Sequence, residues 1–468
     1  MGIVADRSTI ESYHRGYRSL GLVLSTLERS LRYMDPKRLI DKTIKIKGSA
    51  LVVRSSLQPL TLRLNLNDFD SIYLVGAGKA TSKMAEALCN ILGWRVSGGA
   101  INVPYMSNTQ INKNKVYVTE ASHPIPDESG VDGTKKIINI LRKTKQYDLV
   151  FVLISGGASA LMPLPADGIT LSDKQKITHD LLSSGASIDE INVVRKHISK
   201  VKGGQLIRLI NGGCTVISLI LSDVIGDDME TIASGPTVPD RSTFKEAATI
   251  LKKHKLWAKK IEHRSAIALI SRGIRGLIKD TPKASDPIFH KVYNILIGNN
   301  TLLCKKATQH LKGKGLESTN LGSSFDGESK KFGVLLARLA NEIKKSSKPS
   351  AFILGGETTV KLNRRRKNGL GGRNQEAILA AALNSNFHKK DDITIVCIGT
   401  DGIDGNSKAA GAFATPKTVS LIKQNETEMK KHLYSHDSYN ALRKVRSSIV
   451  TGRTGTNVND ISIVCGLS

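Results

Sequence analysis

Two kinds of side chain stand in this 468-residue sequence where they could do chemistry: cations beside glycine turns, and carboxylates at the ends of apolar runs. "IYLVGAGKAT" sets Gly78 and Lys79 after one β-branched run, and "VFVLISGGASA" sets Ser155, Gly156, Gly157, Ala158 and Ser159 after another. A strand that stops at glycines and restarts as a helix turns backbone N–H groups outward, a cradle for an anion. Lys79, at the mouth of such a turn, reads either as an anion ligand helped by the helix dipole or as a solvated surface lysine. The carboxylates follow three further runs: Asp223, with Asp227 and Asp228, after "TVISLILS"; Glu357 after "AFILGG"; and Asp401 and Asp404 within "GTDGIDG". Each alone fits a turn former or a helix cap. With Arg373 and Asn374 of "GGRNQE" they make a set in which oxygen ligands suit Mg²⁺ and fixed cations suit phosphate or carboxylate groups. Phosphoryl transfer asks for that combination, because its catalysis is mostly positioning and charge neutralisation.

Two familiar nucleotide motifs are excluded. A Walker A loop needs glycine six residues before its lysine and Ser or Thr after it, where this chain has Tyr73 and Ala80. A dinucleotide fingerprint through Gly76 and Gly78 would need a third small residue where Thr81 stands. The following run, "GGAINVP", ends without a carboxylate for a ribose. Arg195 lies in "INVVRKHISKVKGG", which reads as a helix with Arg195, Ser199 and Lys202 on one face, turned toward a ligand or toward water. His123 of "ASHPIPD", between a strand end and two prolines, reads as structural or as a group that orients substrate.

The elements that must position these residues follow from the same patterning. A chain of this length needs at least two domains. The opening, to about Arg54, reads as helices, and strands then alternate with helices through the rest of the chain, which predicts an α/β fold with mainly parallel sheets. Glycine turns at strand carboxyl ends fall where open α/β sheets bind ligands. A helical and then Pro- and Lys-rich stretch places the expected boundary near 284, giving domains 1–284 and 285–468, each an α/β/α layer structure, with the active site in the cleft between them. No apolar run reaches membrane-span length and no signal-peptide core is present, so a cytoplasmic protein is expected. The five cysteines have no metal-ligand spacing and read as buried thiols. Net charge is +28, but the basic runs are scattered, aromatics are 4% and no nucleic-acid motif appears, so solvated helix faces are preferred to a nucleic-acid partner. A homodimer is left open.

The segments "VGAGKA", "ASHPIPDESG", "LISGGASALMPLP", "EINVVRKHISKVKGGQL", "LSDVIGDDMETIASGPTVPD", "GGETTV", "GGRNQE", "GTDGIDG" and "TGTNVND" resemble, in this order, the motif set of the MOFRL-type glycerate 2-kinases. The resemblance implies ATP- and divalent-metal-dependent transfer of a phosphoryl group to the 2-hydroxyl of D-glycerate, giving 2-phosphoglycerate, with two α/β domains flanking the site. It also implies active-site roles for Lys79 and Arg373. D-Glycerate and ATP are both anions, so the cations and the Gly156–Gly157 cradle suit them. Relatives have also been labelled hydroxypyruvate reductases, and a non-catalytic sugar-phosphate or nucleotide binder would use similar turns.

One departure bears on the metal. Relatives commonly carry a further Asp where this chain has Lys408 in "GNSKAAGA", and an ammonium offers no lone pair to a cation. Metal ligation in that segment is therefore expected of Asp401 and Asp404. Asp223 is expected to serve as metal ligand or as the base for the 2-hydroxyl proton.

Overall fold

The computed structural model describes residues 3–107, 111, 115–257, 263–362 and 368–467. Parts of two basic runs, at 258–262 and 363–367, lie outside the described residues. The chain forms two compact units, one of Pro36–Ile297 and one of the residues up to Asp35 together with those from Gly298 onward.

The Pro36–Ile297 unit opens with a small antiparallel sheet of β1 (Ile44–Lys47), β2 (Ala50–Arg54) and β3 (Thr61–Asn65). "IKIKGSALVVR" therefore turns back as a hairpin where a helix was expected. Its Ile/Lys alternation has period 2, and Gly48, at φ 62°, makes the turn. The main sheet holds β4 (Ser71–Ala77), β5 (Val96–Pro104), β6 (Val116–Ala121), β7 (Asp148–Ser155), β8 (Thr215–Leu221) and β9 (Val292–Gly298), in the order β6-β5-β4-β7-β8-β9. The pairs from β6 across to β8 are all parallel. All eight residues of β7 are buried, the mark of a central strand covered on both faces. The chain moves from β4 outward through β5 and β6, then returns to place β7 on the other side of β4. That reversal is a topological switch point, and the carboxyl ends of β4 and β7 frame it.

The second unit's sheet runs β10 (Glu317–Asn320), β11 (Ser350–Gly356), β15 (Asp460–Leu467), β12 (Asp392–Gly399), β13 (Gly411–Ala414) and β14 (Ser448–Ile449). Only β10 and β11 pair in parallel, because β15 enters antiparallel between β11 and β12. This sheet is mixed, whereas the pairs from β6 to β8 in the first are all parallel; both are flanked by helices, and the fold class is α/β. The helix Arg18–Tyr33 buries Leu20, Val23, Leu24, Leu27 and Leu31 at helical spacing, against the helix Asn300–Lys312 and strands β12 and β15. The N-terminal helices thus belong with the C-terminal half of the chain, and the division falls at 297/298 where one at 284/285 was expected. An amphipathic helix shows that it must bury a stripe, not which sheet will receive it. Among the described residues no helix is long and apolar enough to cross a membrane.

One close helix contact fixes the position of the helix Arg373–Asn384. In the helix Ser329–Lys345, a Cβ on Gly333 would come within 2.2 Å of the Ala377 carbonyl and 2.8 Å of the Ala380 Cβ. Gly333→Val should lower stability by about 2–3 kcal/mol through overpacking. Gly313→Ala, where a Cβ meets nothing closer than 3.4 Å, should be neutral or slightly stabilising. Denaturant midpoints measured for the two variants distinguish a tight seam from ordinary helix propensity.

Candidate active site

At the switch point the two glycine turns lock together. Lys79 N–H donates to the Gly156 carbonyl at 2.9 Å and Ala80 N–H donates to Ser155 Oγ at 3.0 Å. Ser155 Oγ also lies 3.2 Å from Thr81 Oγ1. Ser155 is buried, so its hydroxyl serves the start of the helix Thr81–Leu92 and is not presented to a ligand. Gly78 permits this lock: its φ is 143°, and a Cβ there would stand 2.1 Å from Ser155 Oγ. A Cβ on Gly157 would meet His123 Nε2 at 3.0 Å and Lys79 Cγ at 3.4 Å. Lys79 and His123 therefore converge over the Gly156–Gly157 turn. Ser159 is half-buried, with Ser234 Oγ 2.9 Å from its hydroxyl. Asp223 follows the end of β8, at the same carboxyl edge, half-exposed.

The helix carrying Arg195 is Ile188–His197, capped by Ser187 and Glu190. It ends before Ser199, whose hydroxyl donates to the Leu164 carbonyl, so the expected common face for Arg195, Ser199 and Lys202 does not form as a helical stripe. The three residues nonetheless belong to one region of this unit, described below.

The second unit gathers carboxylates around Arg373. Antiparallel pairing sets Asp460, the first residue of β15, opposite Gly356 at the end of β11 and Gly399 at the end of β12. Arg373 grips Asp460 with two N–H groups, through Nε and through Nη2 at 3.0 Å, and Nη1 donates to Glu357 Oε1 at 2.7 Å. Burial alone would weaken its charge, but Asp460 and Glu357 hold the guanidinium firmly protonated. Three of its five N–H groups are committed, and the side chain is 31% exposed, so two donors can meet an incoming anion. Burial raises Asp460 to about 6; Arg373 offsets part of that rise, and the nearby Asp404 adds to it.

Asp404 is not placed as a metal ligand. Its Oδ1 accepts from Asn374 N (3.1 Å) and Asn374 Nδ2 (3.2 Å), and its Oδ2 accepts from Gln375 N and Nε2, both at 2.9 Å. Four donors fill the four lone-pair positions of a carboxylate, leaving none for a cation. The residue is 2% exposed and caps the helix Arg373–Asn384, whose own N-cap, Gly372, has no side chain. A Cβ on Gly372 would lie 2.4 Å from the Asp404 carboxyl carbon, so the glycine is needed for the cap to approach. Asn374 is correspondingly a bridge to Asp404 and Asp460, buried with them. Asp401 is half-exposed, its Oδ1 accepting from Ile403 N at 3.1 Å. Asp401 and Asp460 each place an oxygen within 3.5 Å of where a Cβ on Gly399 would stand. Among the described residues no group of three or more His, Cys, Asp or Glu is arranged to hold a metal ion.

Two family models match, one described as a domain of unknown function (DUF4147) over residues 22–268 and the MOFRL family over residues 350–460. A glycerate 2-kinase of Pyrococcus horikoshii is 38% identical, over 95% of this chain and 96% of the relative. The chain belongs to the MOFRL-type glycerate 2-kinase family. A D-glycerate 2-kinase of Thermotoga maritima is 36% identical over 91% of this chain and 97% of its own length. The crystal structure of a glycerate kinase from Thermotoga maritima superposes with a TM-score of 0.80 at 34% identity, covering 96% of this chain and 99% of that one. The family's two matched segments contain both clusters: Lys79 to Asp223 in the first, Glu357 to Asp460 in the second.

Asp460 is the residue that sequence reasoning missed. Its signal is the carboxylate of "TGTNVND" just before the apolar run "ISIVCGL", at the start of a strand, whereas the other carboxylates of the set follow strand ends. Replacing Asp404 by asparagine turns one acceptor oxygen into a donor facing the Gln375 N–H groups or the Asn374 ones. Asp404→Asn should cost about 2–3 kcal/mol of stability, read as a lowered thermal midpoint. A midpoint equal to wild type would return Asp404 to the pool of available ligands.

Proposed function

We propose that this protein transfers the γ-phosphoryl group of ATP to the 2-hydroxyl of D-glycerate, giving 2-phosphoglycerate and ADP in the cytoplasm. Membership of the glycerate 2-kinase family supports the reaction class. The observation that carries the chemistry is Arg373, held by Asp460 and Glu357 with two N–H groups left over, since a pre-oriented cation stabilises developing phosphoryl charge without reorganising. The 2-hydroxyl oxygen attacks the γ-phosphorus, the bond to the ADP oxygen breaks, and the hydroxyl proton passes to a carboxylate. Asp223, at the carboxyl edge of the first sheet, is our candidate for that acceptor. Lys79 and the Gly156–Gly157 backbone hold an anionic group of one substrate, with His123 alongside.

Mg²⁺ fits this chain as part of the nucleotide substrate rather than as a resident ion. A divalent ion carried on phosphate oxygens needs only one or two carboxylates, and Asp401, half-exposed, can supply one where the filled Asp404 cannot. Hydroxypyruvate reduction is disfavoured because β5, next after the glycine turn, ends at Val103-Pro104 with no carboxylate for a ribose.

The direct test incubates the protein with ATP, Mg²⁺ and D-glycerate and identifies the product by phosphorus NMR. We expect ADP release that depends on D-glycerate; oxidation of NADH with hydroxypyruvate and no ADP would refute the reading. Lys79→Ala and Arg373→Ala should each lower kcat/KM by about two orders of magnitude, the scale for losing one preorganised charge contact. Asp401→Asn should raise the Mg²⁺ needed for half-maximal rate, and Asp404→Asn should leave it unchanged. A pH profile tests the anchor of Arg373. Asp460 is charged only above about pH 6, so kcat/KM should fall on the acid side of that value. In Asp460→Asn that limb should vanish and the plateau drop; an unchanged acid limb would remove Asp460 from the site.

A further inference from the structure

Behind the Gly156–Ser159 turn lie basic side chains that no carboxylate pairs among the described residues. Lys202 is 1% exposed, and among the described residues its Nζ reaches Ser159 Oγ at 3.4 Å and the Ala233 carbonyl at 3.3 Å, both long for an ammonium. Lys174, from the helix Leu171–Ser183, is 5% exposed and donates to the Pro163 carbonyl at 2.9 Å. Arg195 completes the group, half-buried. None of the three forms an ion pair among the described residues. Nearby Lys196, equally buried, is paired with Glu230 and Asp240, so this unit does neutralise a lysine whose charge is structural. Burial, then repulsion from Lys174 and Arg195, holds Lys202 well below the usual lysine range; burial and Arg195 bring Lys174 down to about 7.

The surroundings of Lys202 are shaped to hold it there. Ser234 donates to Asn192 Oδ1 at 3.1 Å, so the Ser159 hydroxyl gives its proton to Ser234 and turns its remaining lone pairs toward Lys202. Ala233 and Ser234, neither a glycine, are held at φ 56° and 60°. Strain of that kind persists only where neighbours over-determine it, and Gly203 N–H donating to the Ser234 carbonyl at 2.9 Å is one such neighbour. Burial and the neighbouring positive charge disfavour the protonated form of both lysines in the ligand-free fold, and an arriving anion would restore it.

We propose that Lys202, Lys174 and Arg195 form an oxyanion pocket beside the Gly156–Ser159 turn, and that its occupant is the carboxylate of the 2-hydroxy acid. A lysine this buried can meet only a small group able to shed its water, which a carboxylate is and a hydrated triphosphate is not. The name of the acid rests on the kinase reading above; the existence of the pocket does not.

The test is thermal unfolding of the full chain with D-glycerate, with ATP and with inorganic phosphate, each supplied alone. D-Glycerate should raise the midpoint of the wild-type protein. Lys202→Met should raise the midpoint of the ligand-free protein, because a buried amine whose charged form the fold disfavours becomes an apolar chain of similar length, and should weaken D-glycerate at least tenfold while sparing ATP. A lysine with a purely structural role gives the opposite pair of results, a lowered ligand-free midpoint and unchanged D-glycerate affinity, and that would overturn the proposal. Loss of ATP or phosphate protection in place of D-glycerate protection would overturn the carboxylate assignment. Arg195→Met, at a half-exposed position, covers the case in which the lysine variant does not fold: unchanged D-glycerate affinity there also sinks the pocket. Lys202-dependent D-glycerate binding without any ADP formation would sink the kinase reading and leave the pocket standing.

Discussion

A buried carboxylate with no lone pair to spare organises the second unit. Asp404 accepts from two backbone and two side-chain N–H groups at the start of one helix, and so supplies from a distant loop the cap that Gly372 lacks. Much else follows from it. The helix start is pinned, so Arg373, its first residue, leaves the backbone in a fixed direction. The negative charge of Asp404 disfavours ionisation of Asp460, and Arg373 is the counterweight that lets Asp460 ionise near neutrality. The carboxylate that resembled a metal ligand is thus the support on which Arg373 stands.

The two units gather polar side chains at a sheet edge by different means. In the first, a parallel sheet reverses its direction of growth between β4 and β7, and the two strand-to-helix turns at the reversal interlock through Ser155 and the Gly156 carbonyl. In the second, an antiparallel strand threads between two parallel ones. Its first residue then lies beside the last residues of its neighbours, and Asp460 joins Glu357 and Asp401 at one edge. Parallel topology collects strand ends only; one antiparallel strand adds a strand beginning.

Charge is handled with equal distinction. Lys196 and Arg373 are surrounded by carboxylates and held in one geometry. Lys174 and Lys202, buried, and Arg195, half-buried, have no such partners among the described residues. The first arrangement supports structure and orientation; the second disfavours the charged form of its lysines, which an arriving anion would restore. A formal charge of +28 therefore does not describe the site, because what matters is which cations lack a counter-ion at short range.

Local patterning was enough to read the α/β class, the glycine turns with Lys79, and the motif order that marks the family. Each depends on neighbours in sequence: β-branched runs, the conformations open to glycine, and spacing along one helix or turn. It also showed carboxylates at strand ends, but not what each would touch. Asp404 could be told from a ligand only by the Asn374 and Gln375 donors about thirty positions away. Asp460 could be found only once β15 was known to run antiparallel. The hairpin at "IKIKGSALVVR" and the packing of the N-terminal helices with the C-terminal half are of the same kind. Sequence determines which groups can donate, accept or bury; whether a given carboxylate caps a helix, anchors an arginine or meets a ligand depends on donors that distant segments bring within 3 Å, and tertiary structure alone sets that distance.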